Sequence, residues 1–148
     1  MKIIEKNKKA YFDYEIEEKI EAGIVLAGSE VKSIKLGNVN LRDSFCFVEG
    51  GEIFLKNCYV ASYEKGSAFN EEPRRSRKLL LNKREIARLI GKMKTKGYSL
   101  IPLMIYFNKN LVKIEIALAK GKKLHDKRAS LREKDVLREA ERAIKDYK

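Results

Sequence analysis

Hydrophobic positions along this chain change their period several times, and each change marks an element. From Tyr11 to Ala27 aromatic and branched residues mix with acidic ones, which predicts an extended strand, bulged near Gly23. Gly28 interrupts that run. Ser29 is placed to cap a short helix in which Val31 and Ile34 share a face while Lys32 and Lys35 point to solvent, and Gly37-Asn38 stops it. The stretch Phe45-Cys46-Phe47-Val48 and its return Ile53-Phe54-Leu55 are apolar on both faces, as strands covered by a helix or enclosed in a barrel are. With Gly50-Gly51 as a two-residue turn, Val48 falls opposite Ile53 and Cys46 opposite Leu55.

Between Ser62 and Arg77 serine, glycine, proline and charge replace any period, predicting a long loop that ends in a basic cluster. Asn82 followed by Glu85 is a capping-box pattern. Ile86, Leu89, Ile90 and Met93 then recur at helical spacing until Gly97. Tyr98 to Phe107 and Leu111 to Ala119 flank an Asn-Lys-Asn turn, and Val112, Ile114, Ile116 and Leu118 alternate with Lys113 and Glu115, a second hairpin with one wet face. After Gly121 hydrophobic content collapses, so that segment cannot bury itself. Ser130 and Glu133 form another capping-box pattern, and Leu137, Ala140 and Ile144 give the following helix a stripe too narrow to hold it without docking.

At 148 residues and 44% hydrophobic, the chain suits one domain plus a tail, with residues 1–120 as the body and 121–148 as the tail. Its 33 Lys and Arg against 21 Asp and Glu give a formal charge of +12, which favours a polyanionic partner, nucleic acid before membrane. No apolar run approaches the roughly 18 residues of a spanning helix, and MKIIEKNKKA lacks a signal-peptide core, so the expected location is the cytoplasm. Cys46 and Cys58 match no metal-ligand spacing and fall out of register for a disulfide, which makes them buried thiols.

Catalytic chemistry finds little support in the residues. The single histidine, His125, sits in the tail without a serine or cysteine nucleophile beside it. Asp13, Glu15, Glu17, Glu18 and Glu21 crowd together like the carboxylates of a metal-dependent nuclease, yet on a strand Asp13, Glu15 and Glu17 alternate to one solvent face. We expect no enzyme, no metal and no cofactor. The basic cluster Arg74, Arg75, Arg77, Lys78, Lys83, Arg84, Arg88, Lys92, Lys94 and Lys96, with Glu85 as its acidic counterweight, suits phosphate neutralisation and also a solubilising helix face. In Ala119-Lys-Gly-Lys-Lys-Leu-His-Asp-Lys-Arg128, cations surround an imidazole that can stack on an exposed base. A charged linker with a bystander histidine reads equally well from these residues alone.

Four ordered blocks decide between them: Asn7-Lys-Lys-Ala10, Glu21-Ala-Gly-Ile-Val-Leu-Ala-Gly-Ser-Glu-Val-Lys-Ser33, Arg77-Lys-Leu-Leu-Leu-Asn82 and Ala119 to Arg128. Across essentially its whole length the chain resembles the small protein B (SsrA-binding protein) family. The resemblance implies a mainly β fold, an oligonucleotide-binding-like antiparallel barrel with external helices. It also implies a basic C-terminal tail that is loose when free and helical on the ribosome. It implies binding to the tRNA-like domain of transfer-messenger RNA and its delivery to stalled ribosomes for trans-translation, with an elongation factor that carries aminoacyl-tRNA. It further implies that the body stands in for a missing anticodon arm, and we expect the protein to act as a monomer. The alternative is a general structured-RNA-binding or ribosome-assembly module.

Carried over by motif, the transfer-messenger RNA contacts fall on Glu21, Leu80, Asn82 and Lys113, with Lys32 and Lys35 added from their exposed helix face. Glu21 either bonds a donor on the RNA or braces the loop. Leu80 and Asn82 either touch RNA or serve core packing and helix capping. The ribosome-binding tail is Gly121, Lys122, Lys123, His125, Asp126, Lys127 and Arg128, directed at the small-subunit decoding centre and the empty mRNA channel. One departure is Tyr11-Phe12-Asp13-Tyr14, where the family shows a basic residue and histidine before the acid and tyrosine.

Overall fold

A computed structural model of the chain describes residues 1–62 and 72–122. The expected loop at its centre, and the tail beyond Lys122 with its Ser130–Glu133 helix start, fall outside the described residues in whole or large part. In chain order the elements are β1 (Lys2–Lys6), α1 (Lys8–Asp13), β2 (Tyr14–Ile24), α2 (Gly28–Lys35), β3 (Val39–Asn40) and β4 (Phe45–Glu49), followed by β5 (Glu52–Lys56), β6 (Tyr59–Val60), β7 (Arg77–Leu80), α3 (Lys83–Lys96), β8 (Ser99–Asn108) and β9 (Leu111–Gly121). Seven strands form one antiparallel sheet in the order β1-β8-β9-β2-β7-β5-β4, and β3 pairs with β6 in a small second ladder. The fold is therefore mainly β with helices. The large sheet curls until β4 packs against β8, but its edge strands β1 and β4 share no ladder, so the barrel is not closed by hydrogen bonds.

Both expected hairpins are present. Gly50 and Gly51 have φ of 58° and 74°, the primed turn whose twist matches the strands, and the register pairs Val48 with Ile53 and Cys46 with Leu55. The β8–β9 turn places Lys109 and Asn110 in the same left-handed region. Helix α3 begins as its sequence predicts, with the Glu85 N–H donating to Asn82 Oδ1 at 2.8 Å, and ends at Gly97 with φ of 66°. Its apolar face puts Ile86 and Leu89 into the main core, each contributing roughly 1.5–3 kcal/mol by burial, with Ile90 and Met93 packed against them. Cys46 and Cys58 are buried free thiols in that core, and burial pushes the Cys58 thiol up to about 12.

The amino-terminal region differs from expectation. Tyr11 to Asp13 belong to α1 rather than to a strand, so the strand starts at Tyr14. Tertiary contacts override the β preference of Tyr11 and Phe12: the Asn7 N–H donates to Leu103 O, Asn7 Nδ2 donates to Pro102 O, and Ala10 is buried. Around Ala10 a second small core of Ile101, Leu103, Ala117 and Ala119 forms, with Tyr14 and Ile16 against it. Strand alternation puts this cluster on the opposite side of the sheet from Leu100, Ile116 and Leu118. The bulge in β2 lies between Ile16 and Glu18, not near Gly23. Helix α2 starts at Gly28 with Ala27 at its N-cap, and Ser29 is inside it. The cap bond comes from the other end, the Ala27 N–H donating to Glu30 Oε1 at 2.8 Å.

Candidate nucleic-acid interface

The side of the sheet facing away from the main core carries the residues singled out above, and register brings three of them together. Gly23 on β2 pairs with Lys113 on β9 and with Leu80 on β7, while Lys113 pairs with Tyr106 on β8. Glu21 lies two residues before Gly23 and pairs with Glu115. Glu21, Leu80 and Lys113 thus share one outer surface over three adjacent strands. Leu80 is 52% exposed although apolar. A Cβ at Gly23 would meet Leu80 Cβ at 3.1 Å, so the glycine is a close-approach position rather than a bulge.

Two carboxylates directly opposite each other repel, and the Tyr106 hydroxyl relieves this by donating to Glu21 Oε2. Burial, then the Glu21 bond, pushes the Tyr106 phenol well above its ordinary range, so the tyrosine stays a donor. Glu21 is therefore braced by the sheet while its carboxylate remains exposed. Asn82 caps α3 and is also exposed. The β8–β9 face is wet only in part, because α1 covers its Ala117 and Ala119 end.

Lys32 and Lys35 are exposed on α2, as expected. They do not join the Glu21 row: Lys35 shares a depression with Lys2, Phe107 and Lys109 beside the β8–β9 turn. Of the expected tail residues, Gly121 ends β9, and the Lys122 N–H donates to Asp13 O at 2.9 Å. Lys123, His125, Asp126, Lys127 and Arg128 lie outside the described residues.

The basic cluster read from the sequence is not one surface. Arg77 is fully buried, its Nε donating to Glu30 Oε2 at 2.7 Å and its terminal nitrogens to the carbonyls of Cys58 at 2.8 Å, Pro73 at 3.0 Å and Arg75 at 3.2 Å. Arg75 donates to the other Glu30 oxygen at 2.5 Å. Burial opposes the charge on Glu30, yet bonds from Arg75, the Ala27 N–H and Arg77 outweigh it and hold the carboxyl below its ordinary value. Arg88 grips both oxygens of Glu18, and Lys92 approaches Glu18 at 3.6 Å. Lys83, Arg84 and Lys94 are exposed.

The acids considered for a nuclease site do not line up on one strand face. Asp13 is helical, Glu17 occupies the bulge, Glu18 is paired with Arg88, and Glu21 accepts from Tyr106. Tyr106 and the Glu30 clip are absent from the sequence reading. The first was accessible, since Tyr106 pairs with Lys113 in the expected hairpin. The second was not, because Glu30 and Arg77 are 47 positions apart.

Comparison with known proteins gives a consistent picture. A family model described as SmpB protein matches residues 4–146. The SsrA-binding protein of Carboxydothermus hydrogenoformans is 57% identical over 144 residues, covering 97% of this chain and 97% of the relative. That of Caldicellulosiruptor bescii is 55% identical over 147 residues, covering 99% and 93%. A solved structure described as "tmRNA-SmpB: a journey to the center of the bacterial ribosome" superposes with a TM-score of 0.67 at 52% identity, over 81% of this chain and 85% of the other. With more than half of its residues shared along almost its whole length, this chain belongs to the SmpB family.

Proposed function

We propose that this protein binds transfer-messenger RNA and carries it to stalled ribosomes for trans-translation, acting by recognition and without catalysis in the cytoplasm. The observation that carries this reading is the convergence of Glu21, Leu80 and Lys113 on one outer sheet surface, in a chain that matches SsrA-binding proteins over almost its whole length. Lys113 supplies a cation for phosphate, Leu80 an apolar contact for a ribose or base face, and Glu21 an acceptor for a hydroxyl or exocyclic amine of the RNA. Asn82 acts on this surface through the helix it caps. Lys32 and Lys35 add longer-range attraction. The curl that brings β4 onto β8 supports the finer description of the body as an oligonucleotide-binding-like barrel.

Residues 1–120 form the RNA-binding body, and residues from Gly121 form a tail that folds in the mRNA channel, with Gly121, Lys122, Lys123, His125, Asp126, Lys127 and Arg128 against decoding-centre RNA. The elongation factor that carries aminoacyl-tRNA accompanies delivery of the RNA by a single copy of the protein. In competition binding at moderate salt, an RNA with a tRNA-like elbow displaces the protein from a linear RNA of equal length. Equal competition by the linear RNA would replace this reading with a general RNA-binding module. Charge reversal at Lys122, Lys123, Lys127 and Arg128 abolishes delivery while leaving RNA binding by the body in place, and unaltered delivery would remove the tail from the mechanism.

A further inference from the structure

The outer surface of the sheet continues past Leu80. On β7, Lys78 shares the face of Leu80 and pairs with Phe54 on β5, which pairs with Phe47 on β4. Phe45 and Lys56 form the next opposed pair on the same face. The core-facing partners of these strands are Cys46, Ile53, Leu55 and Leu79, all buried, so the aromatic residues belong to the outside. The expectation that this hairpin is covered on both faces fails here. Phe45 is 44% exposed, and neither Phe47 nor Phe54 packs into either described core.

The rings are arranged and not merely stranded. Phe47 and Phe54 stack with centroids 5.5 Å apart and planes at 24°, and the Lys56 ammonium stands 5.7 Å from the Phe47 centroid. On β4, β5 and β7 themselves the acids lie at the hairpin tip, where Glu49 pairs with Glu52, and Glu52 approaches Lys78 at 3.8 Å. An apolar protein partner would have to strip water from Lys56 and Lys78, which alternate with the rings. RNA satisfies both, because a base offers a flat face to the rings and its phosphate meets the ammonium.

We propose that the outer face of β4, β5 and β7 is a stacking platform that takes an unpaired base of the bound RNA against Phe45, Phe47 and Phe54, with Lys56 and Lys78 on the flanking phosphates. The platform is continuous with the Leu80–Lys113 row and rests on the RNA-binding function proposed above. It gives that surface a preference for unpaired nucleotides that Lys113 and Leu80 alone do not confer.

The experiment uses the full chain and two RNAs: a tRNA-like RNA with 2-aminopurine at single unpaired positions, and a blunt, fully paired duplex of equal length. The variant Phe47→Leu/Phe54→Leu keeps apolar bulk but removes the rings. It lowers affinity for the looped RNA about tenfold, leaves the duplex unaffected, and abolishes the fluorescence quenching seen on binding. Lys113→Ala weakens both RNAs. Wild-type affinity and quenching in a folded double variant would overturn the platform, as would an equal loss for both RNAs. Should the variant not fold, crosslinking of wild-type protein to RNA carrying 4-thiouridine at the unpaired positions decides: adducts on residues 45–56 support the platform, and their absence overturns it. A wild-type protein that prefers linear RNA would sink the proposed function instead, with crosslinks to residues 45–56 still reporting on the platform.

Discussion

Arg77 and Lys113 are both cations on strands of one sheet, and they do opposite work. Arg77 points inward with no exposed surface, and its planar fork joins Glu30 of α2 to the carbonyls of Cys58, Pro73 and Arg75, fastening α2 and both ends of the 63–71 connection to β7. Lys113 stands on the outer face beside Gly23, Leu80 and Tyr106. A formal charge of +12 counts both alike. Positive charge thus divides into cations buried to hold the fold together and cations left on the outer face, where we propose that they meet phosphate. Only geometry distinguishes them.

Breaking the inner set gives the largest effect. Arg77→Ala removes one of the two guanidiniums paired with buried Glu30 and leaves the carbonyls of Cys58, Pro73 and Arg75 without their donor, and we expect a loss of about 3–5 kcal/mol in urea unfolding. Arg77→Lys is also destabilising, because one ammonium cannot span a carboxylate and three carbonyls. A loss under about 1 kcal/mol for Arg77→Ala would show that the clip is not holding the fold.

The same clip governs the acid limb of stability. Glu30 and Glu18 both titrate below their ordinary value of 4.5, Glu30 because its hydrogen bonds outweigh burial and Glu18 chiefly through Arg88. A depressed native pKa means the unfolded chain binds more protons, so this stability is complete above 4.5 and disappears as pH falls through the lower native values. Thermal melts across that window should fall steeply in the wild type and less steeply in Glu30→Gln, whose baseline stability is already lower. Parallel slopes would remove Glu30 as the source.

For the outer set, Lys113→Ala leaves the melting temperature unchanged, weakens tRNA-like RNA binding by about tenfold, and reduces the slope of log affinity against log salt by about 1. An unchanged slope would take Lys113 off the phosphate backbone. Asn82 straddles the two sets. Asn82→Ala costs about 1 kcal/mol through the lost cap, and Asn82→Ser restores both stability and RNA affinity. Stability restored without affinity would make Asn82 a direct contact. The smallest effect is expected at the half-exposed Glu18–Arg88 pair, where Glu18→Gln costs well under about 1 kcal/mol because solvent screens it.

Periodicity and turn chemistry carried much of this fold into the sequence. The Gly50-Gly51 hairpin with its register, the Asn82 cap and Gly97 stop of α3, and the Lys113 hairpin all follow from local rules that need no distant partner. Failures occur where a distant partner decides. Six residues from Lys8 to Asp13 are helical because Asn7 is tied to β8 and Ala10 fills a pocket between strands, neither of which is visible in Tyr11-Phe12-Asp13. The cap of α2 fell on Ala27 because Glu30, already fixed by Arg75 and Arg77, reaches back to it.

By itself the sequence determined the two hairpins, helices α2 and α3, the excess of positive charge and, through its ordered blocks, the family. It did so because turn geometry, capping and strand alternation act over a few residues. Tertiary structure alone decided which cations are available to RNA, that Glu21, Leu80 and Lys113 share a face, and that aromatic rings extend that face toward β4. Those outcomes depend on strands brought together from distant parts of the chain, whose burial and pairing no local pattern encodes.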